Sequence, residues 1–446
     1  MKTSKQLTFL LFFTVLGLSM TIGESRAQEI SDTLRLEEAI ALSLEENYDI
    51  RRAVKSRQIA TANVHPGEAG FLPRVWLSGN YNYSVADTRT EFANPDQPAI
   101  DASGASTINY GAGVNVAYTI FSGGSRNYTY QKLETAAQLA DLQERQAMES
   151  TILSVISSYM DAVSRYDAWQ NTLESVDISR QRYERAKESY GFGAMTRLEL
   201  LNAEVDLSND SVLMVQAKAA FAKAQIALNQ VMGIDPGAAY AVSSDFSFEE
   251  SLDPEMQLSL AREQNVSFLL SEQRLENSRL DWSMTTASSL PRLDLTGGYS
   301  FSNTNYDANF LSSNESLGWN AGLTLSFDLF DGGKKRRARE NALIQIEAEE
   351  LAMEQAQDQI RANVLSSFED YESSLSLIRQ REQNVKLAER NFARSEEAFA
   401  TGQITGLELR EAQLNLINAR YNLSLQRIQA KLAATRIHFY AGTIIR

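Results

Sequence analysis

Cysteine is absent from the 446 residues. That excludes disulfides, thiolate metal sites and a lipid-bearing N-terminal cysteine. Histidine is almost absent: His65 and His438 stand far apart, and neither belongs to a pattern such as H-E-x-x-H. G-x-S-x-G, phosphate-loop and dinucleotide fingerprints are also missing. A lone histidine is usually structural, so no catalytic residue, no metal site and no cofactor is expected. Positive charge is in deficit, with 42 Lys and Arg against 57 Asp and Glu, a net −15. That argues against nucleic acid as a partner and suits cationic or mixed molecules. Beyond residue 20 no stretch approaches the roughly 18 uncharged apolar residues of a membrane-spanning helix.

Proline is scarce and unevenly placed. There are seven, at 66, 73, 95, 98, 236, 254 and 291. From Ser125 to Tyr190, and again from Lys334 to Thr401, there is neither proline nor glycine. Such stretches, rich in Ala, Leu, Glu, Gln and Arg, predict very long helices. About 66 residues at 1.5 Å each reach roughly 100 Å, too long for a compact domain.

What is present begins with Lys2 and Lys5, an apolar run over 7–20, and Ser25-Arg26-Ala27. This predicts a secretory signal peptide over 1–27 and a mature chain over 28–446. The signal carries Lys2, Lys5 and Arg26 against Glu24, so the mature charge is about −17.

The chain repeats itself. "GAMTRLELLNAEVDL" (193–207) returns as "GQITGLELREAQLNL" (402–416), and "YTIFSGG" (118–124) as "FDLFDGG" (327–333), both 209 residues later. "LPR" occurs at 72–74 and at 290–292. The pattern predicts a single duplicated unit, with repeats over about 31–233 and 254–442 and a linker over about 234–253. Val176, Ser179, Tyr183, Ala186 and Tyr190 make a three-and-four stripe, as do Val385, Ala388, Phe392, Ser395 and Phe399. These read as coiled-coil seams. Gly191, Gly193 and Gly402 end the long helices, and Thr196 and Thr405 cap the returning ones. Each repeat is then a helical hairpin with a tip at 193 or 402.

Between "LPR" and "F-x-G-G" the period changes to two. Val75, Leu77, Tyr81, Tyr83 and Val85 alternate with Ser78, Asn80, Asn82 and Ser84. Tyr110, Val114, Val116 and Tyr118 alternate with Gly111, Gly113 and Asn115. Leu293, Leu295, Tyr299 and Phe301, and then Trp319, Leu323, Leu325, Phe327 and Leu329, repeat the pattern. This predicts β-hairpins over 74–121 and 292–330, with loops over 86–107 and 303–316. Strands of about ten residues with one aromatic-rich apolar face fit a transmembrane β-barrel; a soluble sheet on a core is the other reading. Four strands cannot close a barrel in lipid. Two chains give eight strands and a filled interior; three give twelve and a wet one, which the small polar faces favour. The basic run "KKRRAR" (334–339) opposes a helix dipole, which lipid phosphates at the membrane boundary offset.

In their order and duplication, "LPR", "F-x-G-G", the G-x-x-T-x-L-E-L tips and the opening "LRLEEAIALSLEENYDI" (34–50) resemble the TolC-like outer membrane efflux protein family. The resemblance covers nearly the whole mature chain. It implies a membrane α+β fold: a homotrimeric 12-stranded barrel in the outer membrane, four strands per chain, continued by a long antiparallel α-helical barrel in the periplasm. It implies an exit duct of a tripartite efflux or type I secretion system and no enzyme. The partners it implies are a periplasmic adaptor (membrane fusion protein), an inner-membrane pump of RND, ABC or MFS type, and outer membrane lipids. Residues 234–253 and the C-terminal end fall in the family's equatorial band. Glu408 and Glu411 fall on its acidic aperture ring, and Glu199 matches the acid after the first tip. Threefold repetition would make such a ring cation-selective and raise some carboxyl pKa values. Gate and tip-turn residues are then Tyr190, Gly193, Arg197, Phe399, Gly402 and Arg410. Where the family has an arginine latch, this chain has Ile404, with Arg197 and Arg410 as nearby basic alternatives. The competing reading is a non-conducting surface or periplasmic coiled-coil protein, which needs no amphipathic strands.

Overall fold

In a computed structural model the chain is described over residues 33–94, 96–247, 252–307 and 311–445. The expected signal peptide lies outside the described residues.

The chain opens with the short strand β1 (Thr33–Leu34) and helices α1 (Leu36–Glu46) and α2 (Tyr48–Asn63). Strands β2 (Arg74–Thr90) and β3 (Ile100–Phe121) follow, then α3 (Ser125–Gly191) and α4 (Arg197–Met232). After β4 (Ala241–Val242), the same order recurs as α5 (Pro254–Gln264), α6 (Val266–Ala287), β5 (Arg292–Tyr306), β6 (Ser313–Ser326), α7 (Lys334–Ala400) and α8 (Gly406–Ala441). The two long helices, α3 and α7, are both 67 residues, and the two returning helices, α4 and α8, are both 36. Uninterrupted helix formers make α3 and α7 about 100 Å long. No helix among the described residues is long and apolar enough to cross a membrane.

Strands β2, β3, β5 and β6 form one antiparallel sheet in that order. Its register separates the chemistry by face. Gly79, Ala112, Phe301 and Leu317 are aligned across one face; Asn80, Gly111, Ser302 and Ser316 are aligned across the other. On the polar face Asn80 donates to Asn109 Oδ1 (2.7 Å), and Asn109 donates to Thr304 Oγ1 (2.8 Å). Gly111 and Gly113 keep that face shallow: a Cβ on Gly113 would come within 2.9 Å of Ser300 Cβ. The apolar face is bare, with Leu77, Tyr81, Trp319 and Leu323 exposed.

The strands depart from the expected limits in three places; in the second hairpin β5 runs to Tyr306 and β6 begins at Ser313, inside the expected loop over 303–316. The first hairpin continues past residue 86, because the Asp87 carboxylate accepts from Gly104 N (2.7 Å) and Ser103 Oγ (2.8 Å), which holds a bulge in register. The strand thus runs through the expected loop to Thr90. The fourth strand stops at Ser326 rather than 330. Its partner Arg292 is the first residue of β5, just after Pro291, so nothing pairs with 327–330.

Two apolar clusters sit at mid-length of the long helices. The first joins Ile152, Val155, Tyr159 and Val163 of α3 to Phe221 and Leu228 of α4, with β1 and β4. Tyr159 Oη donates to the carbonyls of Leu34 (2.9 Å) and Ser243 (3.0 Å), which ties the segment after α4 to the helix midpoint. The second cluster joins Val364, Phe368 and Tyr371 of α7 to Ala433 and Ile437 of α8.

One device closes each half. Asn47, between α1 and α2, accepts from the amides of Asp49 (2.8 Å) and Ile50 (3.2 Å) and donates to Val231 O (2.7 Å). Asn265, between α5 and α6, accepts from Ser267 N (2.9 Å) and Phe268 N (3.2 Å) and donates to Tyr440 O (2.8 Å). Each asparagine caps one helix and satisfies a terminal carbonyl of another.

Candidate functional site at the hairpin tips

The far ends of the hairpins, away from the sheet, are built alike. Gly193 and Gly402 have φ of 75° and 73°, a left-handed turn that glycine adopts without strain. Ala194 N then donates to Ser189 O (2.8 Å), and Gln403 N to Ala398 O (2.9 Å). Thr196 caps α4: its hydroxyl accepts from Glu199 N (3.3 Å), while the Glu199 carboxylate accepts from Thr196 N (2.7 Å) and Oγ1 (2.8 Å). Thr405 and Glu408 repeat this at 3.3, 2.7 and 2.9 Å. These are reciprocal capping boxes. The threonine amide and hydroxyl bonds hold both carboxyls below the usual glutamate range. Both sets of bonds lie within one chain.

Glu411 is exposed one turn beyond Glu408 on α8, and its counterpart on α4 is Asn202. Arg197 is exposed in the first turn of α4. The aromatics diverge. Tyr190 is exposed, whereas Phe399 is buried beneath the Arg185 guanidinium, 5.9 Å from its ring centre.

Arg410 is not a turn residue. It lies inside the helix stack with 12% of its side chain exposed and pairs with Asp210, which is 2% exposed. Position 410 is one turn into α8, on the side that faces α3 and α4. Arg410 Nη1 and Nη2 reach the two Asp210 oxygens at 2.7 and 2.6 Å. Ser175 (3.0 Å) and Ser179 of α3 also donate to Asp210. Gln413 of α8 donates to Ser175 Oγ at 3.2 Å. Burial alone would raise the Asp210 carboxyl, but the Arg410 and Ser179 bonds outweigh it and hold it low. Beside it Arg182 of α3, 6% exposed, pairs with Asp206 of α4, and its Nη1 has no hydrogen-bond partner among the described residues.

Sequence reasoning identified Ser179 as a seam residue and missed Asp210, Arg182, Asp206 and Gln413. Their signal is faint: charged or amide side chains on helices that otherwise put small residues at the seam. A cavity of about 460 Å³ opens between the two tips, lined by Arg182, Met195, Ala203, Phe399, Leu407 and Arg410 among others. The two histidines have local roles. His65 Nδ1 accepts from Gly67 N (3.0 Å), and His438 Nδ1 bonds Thr443 Oγ1 (3.1 Å).

The family described as "Outer membrane efflux protein" matches residues 39–234 and 257–443, most of the chain. Outer membrane protein TolC of Escherichia coli is 22% identical over 440 residues, covering 96% of this chain and 86% of that protein. Alkaline protease secretion protein AprF of Pseudomonas aeruginosa is 23% identical, covering 94% and 86%. Among solved structures, the Campylobacter jejuni CmeC outer membrane channel superposes with a TM-score of 0.76 at 17% identity, covering 92% of this chain and 86% of that one. The chain is therefore a non-enzymatic outer membrane protein of a Gram-negative envelope with a periplasmic extension, and it belongs to the outer membrane efflux protein family.

Proposed function

We propose that this chain is one third of an exit duct for efflux or secretion, with the sheet in the outer membrane and the helices as a periplasmic tunnel. The observation that carries this is the four-stranded sheet itself. Its edge strands β2 and β6, 17 and 14 residues long, have one neighbour each, and its outward face is apolar. Such edges cannot rest in lipid unpaired, so other copies must pair with them. Three copies give twelve strands around the small polar faces, wide enough for water. The equal lengths of α3 and α7, and of α4 and α8, support two repeats that contribute similar staves to one helical wall.

The tips then close the tunnel. Glu408, Glu411 and Glu199, repeated by threefold symmetry, ring the aperture and favour cations. Because Glu199 and Glu408 are engaged in capping, Glu411 is the acid freest to face the axis. Tyr190, Phe399, Arg197 and the two tip glycines shape the turn. The Arg410–Asp210 pair binds the second hairpin to the first and stands in for the missing latch at Ile404. Opening separates the hairpins through a periplasmic adaptor coupled to an inner-membrane pump.

Planar-bilayer recording of the purified mature protein tests the duct. Discrete conductance steps are expected; a protein that inserts yet passes no current at any voltage overturns it in favour of a structural coiled coil.

A further inference from the structure

We propose that the start of α7 is a binding site for the phosphate headgroups of anionic phospholipids in the periplasm-facing leaflet of the outer membrane. The proposal rests on the membrane placement of the sheet.

Five of the six residues at 334–339 are cationic: Lys334, Lys335, Arg336, Arg337 and Arg339, in a chain of net charge −15. They crowd a helix N-terminus, where the dipole already disfavours cations. Asp331 meets part of that cost by accepting from Gly333 N (2.9 Å) and Lys335 N (2.8 Å). Lys335 pairs with Asp328 at 3.0 Å, but Arg336 is 3.7 Å from Glu340 and largely exposed. Arg337 and Arg339 donate to neutral acceptors, Gly332 O (3.2 Å) and Ser289 Oγ (3.3 Å). Each guanidinium has five donors, so most of this capacity faces outward.

The cations are not needed to build the helix. The same position in the first half reads Ser125, Arg126, Asn127, Tyr128, Thr129 and Tyr130, and α3 starts there equally well. Its one cation turns inward: Arg126 donates to Ile120 O (3.0 Å) and lies over the Phe71 ring (5.3 Å).

Immediately before the basic run, Leu329 and Phe330 are 90% and 89% exposed, beyond the end of β6. Leu323, Leu325 and Phe327 before them are exposed as well. The chain therefore passes from apolar side chains to a cluster of cations within a few residues, the order of chemistries at a leaflet boundary. Arginine forks bind phosphate oxygens, and the adjacent apolar residues select a phosphate that carries acyl chains.

Native mass spectrometry of the detergent-purified full-length protein, titrated with phosphatidylglycerol or phosphatidylcholine, tests this. Selective retention of phosphatidylglycerol is expected, falling at least five-fold in the Lys334→Gln/Arg336→Gln/Arg337→Gln variant. Arg379→Gln/Lys386→Gln/Arg390→Gln, which removes the same charge about 70 Å along α7, should bind like wild type. Equal retention of both lipids, equal binding by the first variant, or loss of the oligomer with lipid retained, each overturns the proposal. Bilayer conductance is read on the same variants. Insertion and conductance without lipid selectivity sinks the headgroup site alone, whereas failure of the wild type to insert sinks the membrane placement beneath it.

Discussion

Arg410 of α8 and Asp210 of α4 meet in a two-pronged ion pair, 2.6 and 2.7 Å long, although 200 residues of sequence separate them. Both are largely buried, and two serines complete the acceptor shell of the carboxylate. Such a pair contributes little over well-packed apolar side chains, but half of it is costly, because a buried charge is left alone. Arg410→Ala is therefore expected to destabilise the tips by about 3–5 kcal/mol. Arg410→Leu combined with Asp210→Leu should cost less than either change alone. Thermal unfolding of the four proteins makes the double-mutant cycle; additive losses would mean that the two side chains do not act together. Mean conductance of Arg410→Ala should rise, since this pair joins the hairpins.

Acid should release the same contact. Against the rise that burial alone would give, the Arg410 and Ser179 bonds hold the Asp210 carboxyl below the usual aspartate range in the folded chain. A group with a depressed folded pKa stabilises above its unfolded pKa and loses that contribution as pH falls through the folded value. Hydrogen exchange in the α8 segment around residue 410 should thus be unchanged between pH 7 and 5 and should accelerate below about pH 4. Asp210→Asn should abolish that step. An identical acid profile in the variant would assign the loosening to other carboxylates.

The tip acids should separate by role. Thr405→Ala removes the cap of α8 and should cost about 1 kcal/mol of local stability, and Glu408→Ala, which breaks the reciprocal bond, should loosen the same turn. Glu411 has no part in the capping box, so Glu411→Gln should leave the melting temperature unchanged and lower cation preference and block by multivalent cations. Reversal potentials under a salt gradient measure this. Unaltered selectivity in Glu411→Gln/Glu408→Gln would remove the ring from the aperture.

The paired asparagines make a third kind of test. Asn47→Ala and Asn265→Ala each remove a helix cap and strand a terminal carbonyl, for about 2–3 kcal/mol. Similar losses in denaturant unfolding are expected, because the two carry matching bonds. Gly442→Ala should be at least as damaging: its φ is 74° and a Cβ would lie 2.4 Å from Gln264 O. A tolerated alanine at 442 would mean that the end of α8 shifts freely against the α5–α6 corner.

Much of the fold was legible in the residues. The long helices followed from two stretches empty of proline and glycine, and the sheet from an unbroken period of two. Thr196 and Thr405 were recognisable as caps because the capping box is a contact between near neighbours. The site was less legible. Glu199 and Glu408 read as pore acids by position, yet the nearest donor to each carboxylate is a threonine three residues away. Arg410 read as a turn residue because sequence distance to the tip is short. Its partner lies on a helix that sequence proximity does not connect to it.

By itself the sequence determined helix length, strand alternation and the tip turns, because each depends on neighbours a few positions apart. Only the tertiary structure decided which charges are buried and paired. Asp210 and Arg410, like Asn265 and the end of α8, meet because two hairpins pack side by side, and desolvation then makes their pairing obligatory.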